Sequence, residues 1–385
     1  MDFELTPEEK AFQKEVREFL DKECNENVIA ETESMLGEGP YSKELIKKMG
    51  ARNMLAPRWP EEYGGRGMGF MAETIKVHEL TYHRGPFPLD GVEIGNTLLV
   101  CGTEEQKNKY LPGIARGEIE FALGYTEPNA GSDVASVQLS AVDNGDEFIL
   151  NGQKIYNTEA HFSDYHWLLT RSDPTAEKKH RGLTMFMVDL KSPGITIRPL
   201  LTSAGLRTNE VFYEDVHVPK ANMVGEKNGG WAVIMSALYG GMGGGSSGAS
   251  RFHFETLTKY LLEEKPEIVA DNSWIPDAMA DIDIKLHLLD VMGFRASSMS
   301  DRGLSTPYDG PVSHVFANES RRDFCNVVMQ ILGPYGALAE GSKWAPLKGA
   351  FLRQYMDSPR WTIVHGSSEI QRLVIATRGL GLPRK

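Results

Sequence analysis

The nine residues Tyr125-Thr126-Glu127-Pro128-Asn129-Ala130-Gly131-Ser132-Asp133 hold the densest group of side chains able to grip a ligand. Pro128 fixes one backbone angle and removes a donor, and Gly131 lets the backbone approach a bound molecule closely. Backbone N–H groups and the hydroxyls of Thr126 and Ser132 could then face a flat polar ring. A surface loop with ordinary turn chemistry is the plain alternative. Two other patterns invite chemistry and do not support it. Gly243-Gly244-Gly245-Ser246-Ser247-Gly248 spells G-x-G-x-x-G after the apolar run Trp231 to Tyr239. A nucleotide loop needs a strand–turn–helix unit and an acid about twenty positions on, and the chain lacks alternating strand and helix units. The ten histidines form no His-Glu-x-x-His motif or Cys/His cluster, so no metal site is expected. His161 and His166 read as residues of one strand, five apart and facing opposite sides.

These residues must be held by a chain of 385 residues, enough for two or three domains and a large core. A net charge of -12 argues against a nucleic-acid partner, which needs a basic footprint. Three scattered cysteines (Cys24, Cys101, Cys325) point to a reduced, cytoplasmic setting. No apolar run is long enough to span a bilayer, and the start is acidic where a signal peptide is basic.

Three regions follow. Residues 1–120 read as helical: Thr6-Pro7-Glu8-Glu9 is a capping box before Phe12, Val16, Phe19 and Leu20 at helical spacing, and Thr103 to Gln106 repeats the signal. Residues 121–228 read as short strands. Phe148 to Leu150, Asn151-Gly152 and Lys154 to Tyr156 predict a hairpin with a tight Asn-Gly turn, and Leu183 to Leu190, Ile195 to Ile197 and Glu210 to Val218 predict further strands. Residues 229–385 return to helix, including Ile282 to Val291 and Val312 to Leu332, punctuated by Pro266, Pro276, Pro307 and Pro334. The expected fold class is α+β, mostly α, with a central small β-barrel-like domain and a C-terminal four-helix bundle.

The nine-residue block resembles the flavin-binding signature of the acyl-CoA dehydrogenase family. Trp59-Pro60-Glu61-Glu62-Tyr63-Gly64-Gly65, Gly102 to Lys107, Asn151 to Lys154, Glu214 to Pro219, Leu332 to Gly336 and Gly366 to Arg372 are similar to further family landmarks, in family order. The resemblance implies FAD as cofactor and α,β-desaturation of an acyl-CoA substrate, the flavin N5 taking hydride from the β carbon. It implies Thr126 and Ser132 at the flavin's polar edge, Tyr156 against the ring and Thr158 near N5, with Tyr125 also among the cofactor-binding residues. Ser367 and Glu369 would reach phosphate or adenosine groups, with Gln330 and Gly333 contributed across a dimer. An electron-transfer flavoprotein as acceptor and a homodimer, tetramer or heteromer complete the implied picture.

The family pattern breaks at its catalytic carboxylate. The position before Gly366 is His365, and the second family location, within Ala237 to Gly243, carries no acid. Three readings stay open: His365 is the base, with an unperturbed pKa of about 6.5; another carboxylate such as Glu159 serves, although a surface or hairpin-end glutamate is the simpler reading there; or the chain is a non-catalytic or half-site subunit, or runs another flavin reaction. The acidic, proline-broken Glu263-Glu264-Lys265-Pro266-Glu267 stands where the family often has an arginine for FAD phosphate. The glycines around Gly240 and Gly241 each cost a helix ~1 kcal/mol relative to alanine, so either a wide acyl pocket or close helix contact is expected there.

Overall fold

The computed structural model describes residues 4–33, 42–86, 90–240 and 247–383. Gly241 to Ser246, which hold most of the glycine-rich pattern, lie outside them. Helix α1 (Pro7–Glu23) starts at the expected capping box: Thr6 accepts from the Glu9 N–H, and the Glu9 carboxylate accepts from Thr6 N–H. Its buried face is the expected Phe12, Val16, Phe19 and Leu20. Helices α2 (Glu26–Glu33), α3 (Lys43–Gly50), α4 (Phe70–Tyr82), α5 (Asp90–Cys101) and α6 (Glu104–Ala115) follow, α6 opened by the second box at Thr103.

The central region is one mixed sheet. Its strands are β1 (Phe121–Gly124), β2 (Ser140–Asp143), β3 (Glu147–Lys154), β4 (Tyr165–Arg171), β5 (Leu183–Asp189), β6 (Ile195–Leu201), β7 (Arg207–Pro219) and β8 (Met223–Val224). They run in the order β6-β7-β3-β2-β4-β5-β8, with β1 parallel to β4. The expected hairpin at Asn151-Gly152 is a correction: β3 runs straight through both residues, and the register against β7 shifts between Leu150 and Gly152. Gly152 has φ 145°, and a Cβ there would lie 2.9 Å from the Leu139 Cα, so its freedom serves a bulge and a close strand contact. The tight turn falls earlier, at Asn144-Gly145, where Asn144 N–H donates to the Glu147 carbonyl.

The third region comprises α7 (Gly230–Gly240), α8 (Gly248–Lys259), α9 (Pro266–Asp271), α10 (Ile275–Asp301), α11 (Asp309–Leu332), α12 (Ala350–Trp361) and α13 (Ser368–Val374). Pro276 sits in the first turn of α10, where a missing N–H costs nothing, and so does not break the helix. Helix α10 packs on α4 and α11, and α11 carries α12 and α13. One core joins the N-terminal helices to a sheet face and to α7, through Trp59, Leu111, Trp167, Met185 and Val233. A second fills the other sheet face, and a third lies inside the C-terminal helices. No described helix is long and apolar enough to cross a membrane.

Candidate functional site

Two segments far apart in sequence meet at one end of the sheet. The Ile155 N–H donates to the Thr126 carbonyl at 3.0 Å, which sets the turn after β1 beside the turn after β3. Three buried polar side chains brace this junction. Lys154 Nζ donates to the Tyr125 carbonyl (3.0 Å) and to Glu127 Oε1 (2.8 Å). Glu127 in turn accepts from the Leu139 and Gln138 backbones. Asn157 Nδ2 donates to the Leu123 carbonyl (2.8 Å), and Trp167 Nε1 donates to the Tyr125 hydroxyl (2.9 Å). Burial lowers the Lys154 pKa to about 8, against the opposing pull of the Glu127 charge. An ion pair this deep is sustained by its extra hydrogen bonds.

The brace leaves polar and aromatic groups facing outward. Tyr156 is 61% exposed, and Ser132 and Thr158 are exposed as well. Among the described residues, Thr158 Oγ1 donates to Thr208 Oγ1 at 3.3 Å. Tyr156 has φ 59°, a left-handed conformation that an aromatic residue rarely takes. A Cβ added at Gly131 would meet nothing within 4 Å. An open face with hydroxyls, an exposed ring and free space above a glycine suits a planar polar cofactor such as a flavin ring.

Glu159, expected at the surface, is a correction. It is only 8% exposed, has φ 70°, and its Oε2 is enclosed with no hydrogen-bond partner. Burial raises its carboxyl well above the ordinary value, and the Asp90 and Glu120 charges add to this. Asp90, at the start of α5, is raised by burial and then by Glu93 and Glu120. Glu93 stands open to solvent, yet the protein crowding it, followed by Glu73, raises it to about 7. The two histidines also differ from expectation. His161 sits in the turn after Glu159, while His166 is a buried β4 residue bonded to the Tyr213 hydroxyl.

The remaining expected residues lie on the C-terminal helices. His365 occupies the loop between α12 and α13 with φ 56°, and its carbonyl accepts from Gln371 Nε2 at 2.9 Å. It is exposed on its loop, but desolvation by the surrounding protein, then the His314 and Arg360 charges, lowers its pKa. Ser367 caps α13 through the Ile370 N–H, and Glu369 is exposed in the first turn. Gln330 is exposed near the end of α11, where Gly333 turns the chain with φ 54°. Among the described residues no hydrogen bond joins His365 or Ser367 to the Thr126–Thr158 face. Thr126, Ser132, Tyr156 and Thr158, the residues of that face, stand in or beside the quoted motifs, which carry no sign of its brace. Glu127 and Lys154 were visible in the quoted motifs, but their pairing across the sheet was not. The Glu263 to Glu267 stretch ends one helix and, through Pro266 at its first turn, starts α9.

Family models for acyl-CoA dehydrogenases match the whole architecture: the N-terminal domain over residues 6–118, the middle domain over 122–216 and the C-terminal domain over 228–380. The chain belongs to the acyl-CoA dehydrogenase family. It is similar to acyl-CoA dehydrogenase FadE29 of Mycobacterium tuberculosis, 34% identical over 100% of this chain and 99% of that one. It is also similar to FadE26 of the same organism, 32% identical with the same coverage. Among solved structures, a chain of the ChsE4–ChsE5 complex from Mycobacterium tuberculosis superposes with a TM-score of 0.90 and 30% identity, covering 100% of both chains.

Proposed function

We propose that this chain binds FAD on the Thr126–Thr158 face and takes part in α,β-dehydrogenation of an acyl-CoA. The carrying observation is the Ile155-to-Thr126 hydrogen bond, which sets Thr126 beside the turn that carries the exposed Tyr156 and Thr158. Thr126 and Ser132 would hold the ring's polar edge, Tyr156 would lie against the ring, and Thr158 would meet the N5 region. Bound FAD would supply the hydride-accepting chemistry. Ser367 and Glu369 would reach the phosphate and adenosine half, and Gln330 and Gly333 would serve the cofactor of a partner subunit. Domain boundaries near residues 120 and 228, and an electron-transfer flavoprotein as acceptor, belong to the same reading.

Removal of the α proton falls to His365 on this reading. Its lowered pKa keeps the imidazole neutral at pH 7, with a nitrogen able to accept a proton. The same shift makes it a weaker base than a free histidine, so the thioester must be polarised by hydrogen bonds to its carbonyl. A second reading is favoured by the absence of an acid at both family positions: the chain is one half of a heteromer whose other chain supplies the base. The ChsE4–ChsE5 relative is itself a complex of two different chains.

Purification of the chain alone separates the two. Flavin absorbance near one FAD per chain supports a self-sufficient enzyme. Colourless protein that gains flavin only with a second chain supports the heteromer. Colourless protein that never takes up FAD contradicts both.

A further inference from the structure

Next in the chain to the flavin-type face stands a group of carboxylates, Asp90, Glu93, Glu120 and Glu159, whose charges act on one another. Asp90 and Glu93 are three apart on α5 and so share one of its faces. Glu120 Oε1 accepts from the Gly91 N–H at 2.8 Å and from Phe121 N–H at 3.1 Å, pinning the start of α5 to the start of β1. Glu159 enters from the turn that follows Thr158, and Tyr125 borders the group next to Thr126. Asp90 is 6% exposed and Glu159 8%, and Glu159 Oε2 is enclosed without a partner. Among the described residues no three such side chains converge as metal ligands.

A buried carboxyl oxygen with no partner costs about 1–3 kcal/mol, more if charged. Like charges placed together add to that cost, and the buried Asp90 and Glu159 are both raised by burial and by acidic neighbours. Packing alone would be better served by apolar residues here, so the arrangement fits a ligand that brings hydrogen-bond donors. An anionic group would be repelled by the same acids.

We propose that Asp90 and Glu159 form a subsite for a hydrogen-bond donor, a hydroxyl or ammonium, carried on the acyl group of the substrate, and that this subsite rejects acyl groups ending in a carboxylate. The subsite rests on the acyl-CoA reading above. It adjoins Tyr125-Thr126 and Thr158-Glu159 in the chain, so a ligand lying over the proposed ring seat reaches it with its acyl portion. Hydroxyl and ammonium share the donor chemistry, and only the ammonium gains further from ionised acids.

The test is calorimetric binding of four CoA thioesters of matched length to the purified chain supplemented with FAD: hexanoyl-, ω-hydroxyhexanoyl-, ω-aminohexanoyl- and adipoyl-CoA. At least one donor-bearing thioester should bind about tenfold tighter than hexanoyl-CoA, as one net hydrogen bond to an acid allows. Adipoyl-CoA should bind weakest. Glu159→Gln and, separately, Asp90→Asn should shrink the donor advantage toward one while hexanoyl-CoA affinity changes little. Which donor gains more identifies the source. Equal affinity for all four, or tightest binding of adipoyl-CoA, overturns the subsite and leaves the acyl-CoA reading standing. Failure of every thioester to bind to FAD-loaded chain overturns both. Melting temperatures of the two variants show that they remain folded.

Discussion

At the scale of single residues, exposure and burial divide the candidate site into two kinds of group. Tyr156 holds its ring in solvent at an unfavourable φ. Tyr156→Ala should therefore weaken FAD binding roughly tenfold, as for loss of one stacking contact, while the melting temperature without FAD stays nearly unchanged. A fluorescence titration with FAD beside thermal melts reads both. Glu93, also open to solvent, is a group whose surroundings oppose its charge. Its folded pKa is about 7, above the unfolded 4.5. Protonated Glu93 is favoured in the fold, so its contribution is fully present below the unfolded pKa and is lost as pH rises through about 7. Melting temperature should fall between pH 5 and pH 8, and Glu93→Gln should flatten that fall. A variant whose pH dependence matches the parent's would place the titration elsewhere.

At the scale of elements, the β1 and β3 turns hold their relation through a buried ion pair and its backbone partners. Lys154→Met leaves Glu127 buried without its cation and should cost about 3 kcal/mol or more in urea unfolding. Adding Glu127→Gln should recover part of that, because no charge then remains buried. If the double variant is no more stable than Lys154→Met, the brace does not depend on charge pairing. The sequence made some of these elements legible and hid others for physical reasons. Capping boxes at Thr6 and Thr103 are local, four-residue signals, and both helices start there. Asn151-Gly152 is ambiguous by nature: the glycine freedom that makes a two-residue turn equally makes a bulge. The nearby Asn144-Gly145 took the turn instead. Burial of Glu159 was illegible because its neighbours Asp90 and Glu120 come from α5 and from the residue before β1.

For the whole molecule, the N-terminal and C-terminal helical regions are clasped around the same α4. Asp301, at the end of α10, accepts from the Phe70 N–H at 2.6 Å and from Met71 N–H, and thus caps α4 across 231 residues of sequence. Thr74 and Ser297 hydroxyls meet at 2.6 Å between the same helices. Asp301→Ala should cost about 1 kcal/mol, the usual loss of a cap, and hydrogen exchange should quicken at Phe70 and Met71. Unaltered exchange there would mean that α4 is capped by other means. This architecture was legible as three regions, and the clasp was not, since no short-range pattern announces a cap supplied by a distant helix. On the proposed function, this architecture presents an acyl-CoA to a flavin. The most direct test is anaerobic mixing of FAD-loaded chain with a panel of acyl-CoAs while flavin absorbance is followed. Loss of the oxidised flavin band with at least one thioester is the predicted result. An unchanged band with every thioester, in protein shown to bind both FAD and the thioester, would contradict it.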